Sequence, residues 1–219
     1  MLTHTKSCRT TKLTVKIRYI ALLLLTLLLT QVTVAQDNDP EARRTFEKAY
    51  NMVFGPQGCQ LKYDVNLVGV YRTRGSIWYK GKKSKFEDSK VVQWNDGVTA
   101  YGVFKKKKVV EIYDVKSGKH DKYGSKFKFT LDDFNYTMER TKAGIVITLK
   151  QKSGAKGTVK QAKALLEPGT LAPQRVKVKV ALFWANIDIT EFKSGGISDD
   201  IFVFPRSQYT ADYKFVDKR

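Results

Sequence analysis

Residues able to do chemistry are few in this chain of 219, and their spacing argues against catalysis. Two histidines are present, His4 and His120. His4 precedes a long apolar run, which leaves His120, in the polar stretch SGKHDKYG, as the one a functional site would depend on. A single imidazole cannot build a histidine-clustered metal site, and a hydrolytic triad would rest on it wholly. Paired carboxylates occur at Asp132-Asp133 and Asp199-Asp200. Adjacent side chains point apart, so each pair reads as a cap or turn. No phosphate-cradling glycine loop follows a strand. Basic residues do occur beside aromatics, but they are scattered over turns and polar faces, so nucleic acid is not expected as a partner. The pattern is that of a binder without catalytic residues, metal ligands or cofactor.

The chain must first be placed in a compartment. Lys6, Arg9, Lys12, Lys16 and Arg18 precede the apolar run Ile20 to Leu29, and the small residues Thr33 and Ala35 follow it. That run is short of the roughly 20 apolar residues that span a bilayer. Residues 1–35 therefore read as a secretory signal cleaved after Ala35, leaving 36–219 as one domain in the periplasm. No cysteine closely follows the run, so the protein is not expected to be lipidated. The net charge of +19, less the five basic residues of the signal, is +14 for the exported part, an excess that attracts anionic surfaces. Cys8 falls in the signal and Cys59 stands alone, read as a buried structural thiol with no disulfide partner.

Asp39-Pro40-Glu41 has the marks of a helix start: a capping side chain, a proline where the missing N–H costs nothing, and an acid near the positive helix end. Ala42, Phe46, Ala49, Tyr50 and Val53 then follow at helical spacing until Gly55-Pro56. Almost everything after this alternates like strand. Leu61 to Arg72 is expected to be the first strand, turning at Thr73-Arg74 into Gly75 to Lys80. Further strands are expected at Phe127–Leu131, Phe134–Thr141, Ile145–Gln151, Thr158–Leu166, Arg175–Leu182, Asn186–Phe192, Ile201–Phe204 and Tyr213–Val216. Leu131-Asp132-Asp133 reads as a short helical turn.

The central stretch carries the strongest turn signal. Asp96-Gly97 between two β-rich runs suits a two-residue hairpin, which pairs Trp94 with Thr99 and Val92 with Tyr101. The lysines Lys105 to Lys108 make a second turn, pairing Val103 with Val110 and Tyr101 with Ile112. One face then carries Val92, Trp94, Tyr101, Val103, Val110 and Ile112; the other, with Gln93, Asn95, Ala100, Gly102 and Glu111, reads as wet. About ten or eleven strands with one helix imply an antiparallel curved sheet that must close or be covered.

An exported chain that opens with this helix, a strand, Gly75-Ser76-Ile77-Trp78-Tyr79-Lys80-Gly81 and then Trp94-Asn95-Asp96-Gly97 resembles the LolA-like periplasmic lipoprotein carriers. Leu165 to Val180 resembles that family's strand, proline-containing turn and strand, and Ile201 to Pro205 with Phe215-Val216-Asp217 its C-terminal signature. The resemblance implies an unclosed β-barrel of about eleven strands with a helical lid. It also implies a non-enzymatic chaperone that shuttles acylated lipoproteins from an inner-membrane release complex to an outer-membrane acceptor. Such families carry an arginine tying strand to lid, and Arg72 and Arg74 lie near that region. The acyl-chain cavity is expected at Phe46, Tyr50, Trp78, Val92, Trp94, Tyr101, Val103, Val110 and Ile112, with the sheet residues facing the helix. A monomer is expected, with an anionic lipid surface as a further partner. Two other readings stay open: a sensor or regulator of lipoprotein or lipid on the same fold, and a cationic envelope-binding module whose sheet is plugged by its own side chains.

Overall fold

The computed structural model describes residues 38–67, 71–119, 130–180 and 183–219. The expected signal 1–35 with its cleavage after Ala35, the His120 loop, most of the Phe127–Leu131 strand, and Leu182 lie outside the described residues. Among the described residues one α-helix, α1 (Pro40–Phe54), precedes twelve strands: β1 (Cys59–Leu67), β2 (Tyr71–Lys80), β3 (Lys83–Asp88), β4 (Val91–Asn95), β5 (Thr99–Phe104), β6 (Val109–Asp114), β7 (Phe134–Thr141), β8 (Gly144–Gln151), β9 (Val159–Leu166), β10 (Pro173–Val180), β11 (Phe183–Ser194) and β12 (Lys214–Asp217). All twelve join one sheet in the order β12-β6-β5-β4-β3-β2-β1-β11-β10-β9-β8-β7. Its two edges, β12 and β7, do not pair with each other, so the barrel is unclosed.

The helix begins and ends as its residues dictate. Asp39 caps it by accepting from the Glu41 N–H at 2.7 Å, and Pro40 opens it. At its far end the Gly55 N–H donates to the Asn51 carbonyl at 2.9 Å.

Several boundaries differ from the sequence expectation. β2 already begins at Tyr71, opposite Leu67 of β1, so Arg72, Thr73 and Arg74 sit inside it; residues 68–70 of the expected first strand lie outside the described residues. Gly75 is mid-strand opposite Tyr63, and a methyl group added there would stand 2.6 Å from the Tyr63 hydroxyl. This glycine seats a ring rather than opening a strand. A strand at Lys83–Asp88 adds one to the count, and residues 199–202 form a 3-10 turn instead of a strand. β12 pairs parallel with β6, so the sheet is not wholly antiparallel.

The Asp96-Gly97 hairpin also shifts. Asp96 Oδ1 accepts from the N–H groups of Val98 and Thr99, both at 2.8 Å, which moves the turn centre to Gly97-Val98. Trp94 therefore pairs with Tyr101 and Val92 with Val103. A slip of two residues keeps every side chain on its expected face. The second turn stands as expected, with Val103 opposite Val110 and Tyr101 opposite Ile112.

Register then places the core. Paired residues share a face. Cys59, Leu61 and Tyr63 form one buried cluster, against which Val65, Ile77, Tyr79 and Phe86, Ile187, Ile189 and Phe192 of β11, and Val53 of α1 pack partly buried. Phe134, Tyr136, Ile145, Ile147, Leu149, Ala162, Ala164, Leu166 and Val178 form a second, under Ala42, Phe46 and Ala49. Both lie on the face that bears α1. A third cluster, Val92, Trp94, Val103 and Val110 with Tyr101 and Phe215, lies on the opposite face.

The C-terminal arm covers that third cluster. Phe204 stacks on Tyr101 (centroids 4.3 Å apart, 5° between planes) and on Tyr209 (5.3 Å, 9°), with its edge to Trp94 at 5.5 Å. Asp199 holds the arm's start to Lys80 at 3.0 Å and Lys83 at 3.3 Å; Asp212 holds its end to Lys108 at 3.1 Å. Phe204→Ala should lower stability by about 2 to 3 kcal/mol, below the usual cost for a wholly buried ring because Phe204 is half-buried. A chemical melt with Trp94 emission checks this; unchanged emission and melting would mean that the arm does not close the cluster.

Hydrogen bonds from Lys80, then Lys83, hold the Asp199 carboxyl below the usual carboxylate range. A depressed folded value contributes stability above the unfolded value near about 4, lost as pH falls through the folded one. Asp199→Asn should therefore lower the melting temperature at about pH 7 and leave it unchanged at about pH 2. Equal effects at both pH values would rule out the clamp.

Candidate functional site

The nine expected cavity residues do not share one surface. Phe46 and Tyr50 lie on α1, where an aromatic ladder runs the length of the helix. Tyr136 of β7 meets Phe46 at 5.8 Å, Phe46 meets Tyr50 at 6.2 Å, Tyr50 meets Phe54 at 4.7 Å, and Phe54 meets Tyr79 of β2 at 4.9 Å. The other seven, Trp78, Val92, Trp94, Tyr101, Val103, Val110 and Ile112, face the opposite side of the sheet. The expectation that they face the helix is corrected by register. Trp78 pairs with Lys85, and Lys85 with Trp94, so all three share the face away from α1. Lys85 Nζ stands 5.0 Å from the Trp78 ring and 5.3 Å from the Trp94 ring.

The supposed wet face is not wet either. Asn95, Ala100, Gly102 and Tyr113 are buried on the helix-bearing side. Burial and the Glu111 carboxylate, to which the Tyr113 hydroxyl donates, together raise that phenol's pKa.

On the helix-bearing face, α1 is fastened at both ends of a span. It contacts β7 at one end and β2 and β1 at the other. Near its start, the Asp39 N–H donates to the Tyr136 carbonyl at 2.7 Å, Arg43 pairs with Asp132 at 2.5 Å and Glu47 at 2.8 Å, and Arg140 reaches Glu41 at 3.3 Å. In sheet order, β11, β10, β9 and β8 lie between these anchors. Val65, Ile187 and Val176 form one row across β1, β11 and β10, with Ile189 beside it, and all four are only half-buried. The strip was legible in part: Arg175 to Leu182 alternates cleanly and gave Val176. Asn-Ile-Asp-Ile at 186–189 alternates too, but nothing local says which strands stand beside it.

Two hollows open elsewhere on the described residues. One of about 470 Å³ is lined by Arg72, Thr73, Arg74, Ser89 and Lys90; another of about 200 Å³ by Gln60, Leu61, Lys62, Glu191, Phe192 and Lys193. None of the nine expected residues lines either. Arg72 and Arg74 point away from the helix and bind Asp64, at 3.1 Å and 2.7 Å, so neither ties strand to lid.

The remaining chemical candidates have structural partners. Asp132 binds Arg43, Asp199 binds two lysines, and Ser198 accepts from the Asp200 N–H as a cap. Cys59 is buried, and burial pushes its thiol up to about 11, which keeps it from being a nucleophile at neutral pH.

No known family and no curated protein matches this sequence. Solved structures do. An uncharacterized conserved protein from Thermus thermophilus superposes with a TM-score of 0.56 at 10% identity, over 81% of this chain and 99% of its own. Lipoprotein LppX from Mycobacterium tuberculosis aligns with a TM-score of 0.46 at 11% identity, over 74% of this chain and 100% of its own. A LolA superfamily protein from Nitrosomonas europaea aligns at 0.40 and 12% identity, over 75% and 98%. The first likeness shows a shared fold and nothing beyond it; the other two are looser and add nothing to it. An unclosed sheet with one helix across a face is the architecture that the LolA-like resemblance of the sequence implies.

Proposed function

We propose that this protein is an exported, non-enzymatic carrier that shelters the acyl chains of lipoproteins and moves them toward the outer membrane. The guest lies between α1 and the middle strands β1, β10 and β11. One observation carries this reading: a helix fixed to the edge strand β7 and to the central strands β1 and β2 spans apolar side chains, Val65, Val176, Ile187 and Ile189, that are left half-buried. Apolar surface left partly open beneath a bridging helix suits an apolar guest. Phe46 and Tyr50 belong to the helix wall. Of the seven sheet residues expected beside them, Val92, Trp94, Tyr101, Val103 and Val110 belong to the arm-covered cluster, and Trp78 and Ile112 share its face.

The energetics favour a half-open strip. Burying acyl chains gives about 0.8 kcal/mol per CH₂. Three chains with about 40 such groups would gain roughly 30 kcal/mol, beyond the practical limit of about 20 for any complex. A carrier must release its cargo, so it can cover only part of each chain.

A fluorescent fatty-acyl probe tests the site. Ile187→Glu should weaken its capture at least about tenfold by setting a charge in the apolar strip. Val98→Glu, on an exposed turn, should leave capture intact. All three tryptophans, Trp78, Trp94 and Trp184, lie on the face away from α1, so a brominated acyl chain should scarcely quench their emission. Normal capture by Ile187→Glu, or strong quenching, would refute the placement. Mass spectrometry of the protein from its native envelope tests the cargo: lipoproteins support carriage, and free lipid alone would replace it with lipid sensing.

A further inference from the structure

Beside the arm-covered apolar cluster, the rest of the face opposite α1 divides into a neutralised part and a bare cationic part. One row crossing the sheet reads Arg175, Asp188, Asp64, Arg74, each opposite the next. Arg175 pairs with Asp188, and Asp64 is held by Arg72 and Arg74. One row further along β10 the acids stop. Lys177 stands directly opposite Lys163 of β9, and Lys179 follows on the same strand and face, flanked by Gln161 and Trp184. Lys150 of β8 adjoins Gln161 in that outer row. Among the described residues none of Lys150, Lys163, Lys177 and Lys179 is in an ion pair, and Lys150, Lys163 and Lys177 are exposed.

Like charges directly opposite across a strand pair destabilise a sheet. A fold that sets Lys163 and Lys177 opposite each other, about 5 Å apart at Cβ, with Lys179 about 7 Å along the strand and Lys150 at the edge of the same patch, and with no acid among the described residues between them, gives up stability at that place. Something anionic outside the chain restores the balance. Three features favour a lipid surface over a nucleic-acid strand. The cations spread over a sheet face rather than tracking a groove. They are all lysines, point charges without the fork that reads phosphates or bases bidentately. Half-buried Trp184 sits at their edge, 6.0 Å from Lys179 Nζ, and tryptophan favours the membrane–water interface.

We infer that the lysine face of β8, β9 and β10, with Trp184 of β11, docks this protein on an anionic phospholipid surface. Docking there leaves α1 and the strip beneath it on the far side of the sheet, free for a guest. The inference does not rest on the carrier reading, because it concerns bare membrane and the other face.

The test is co-sedimentation of the full chain with equimolar phosphatidylglycerol–phosphatidylcholine vesicles, without any acyl probe. Each lysine near an anionic leaflet is worth about fivefold in binding, so Lys163→Gln/Lys177→Gln/Lys179→Gln should bind on the order of a hundredfold more weakly. The same charge removed as Lys106→Gln/Lys107→Gln/Lys116→Gln, at exposed positions elsewhere, should cost less than about tenfold. Binding should also weaken as salt rises, since screening acts within about 8 Å at physiological strength. Relief of the Lys163–Lys177 repulsion should leave the first variant melting no lower than the parent. Equal losses from both variants would overturn the inference in favour of general charge. So would lower melting of the first variant, which would make the lysines stabilising, or retention of a single-stranded oligonucleotide at salt that strips the vesicles, which would make nucleic acid the partner.

Discussion

The rest of this structure depends on one constraint: side chains of a sheet alternate, so its two faces must be covered separately. In an ordinary lidded sheet one face is apolar and the other meets water. Here the apolar content of the opposite face rises at the boundary between β3 and β4. Strands β1 to β3 send Leu61, Tyr63, Ile77, Tyr79 and Phe86 toward α1, while β4 to β6 send Val92, Trp94, Tyr101, Val103 and Val110 the other way. Lys85, between Trp78 and Trp94, stands where the polar part of that face ends. One helix cannot cover both clusters. The C-terminal arm exists for the second, and its aromatic stack and two acid–lysine clamps follow from that need.

The arm also settles an edge. An open sheet presents unpaired N–H and C=O groups that invite other strands. After crossing the third cluster, the arm turns into β12 and pairs parallel with β6, with Phe215 opposite Val110 completing the cluster it has just covered. At the other edge, Asp39 and Asn38 just before α1 bond the Tyr136 backbone of β7, at 2.7 and 3.3 Å. Each edge is therefore engaged by the segment that also covers the adjoining face.

Much of this was legible locally. The helix caps, the lysine turn and the alternation from Arg175 to Lys179 are set by neighbours within a few residues, and the structure keeps them. The Asp96-Gly97 turn was misplaced by one position, because the Asp96 carboxylate bonds two N–H groups beyond it. Faces survived that slip because it moves pairing by two. What could not be read was which face meets the helix. Alternation shows that Val92, Trp94 and Val103 share a side; it does not show that Leu61 and Tyr63 lie on the other one. That relation passes through β3, whose residues, Lys83 to Asp88, look too polar to announce a strand between two apolar ones. Once β3 is inserted, Trp78 falls in the row of Lys85 and Trp94, and the expected cavity separates into a helix wall and an arm-covered cluster.

Separating the faces also changes what the charge of this protein can mean. A net excess spread evenly gives solubility and weak attraction to anything anionic. Along Arg175, Asp188, Asp64 and Arg74 the acids and bases alternate in pairs, so that row contributes little field at a distance. Toward the outer end of β10 the lysines stand against one another with no acid among the described residues to meet them, and the field there is that of several uncompensated amines. The two proposed surfaces then lie back to back through a single sheet. An apolar guest under α1 and an anionic surface against the lysines would touch alternate residues of the same strands: Val176 toward one, Lys177 toward the other. A β10 strand with period two can serve both without either ligand displacing the other.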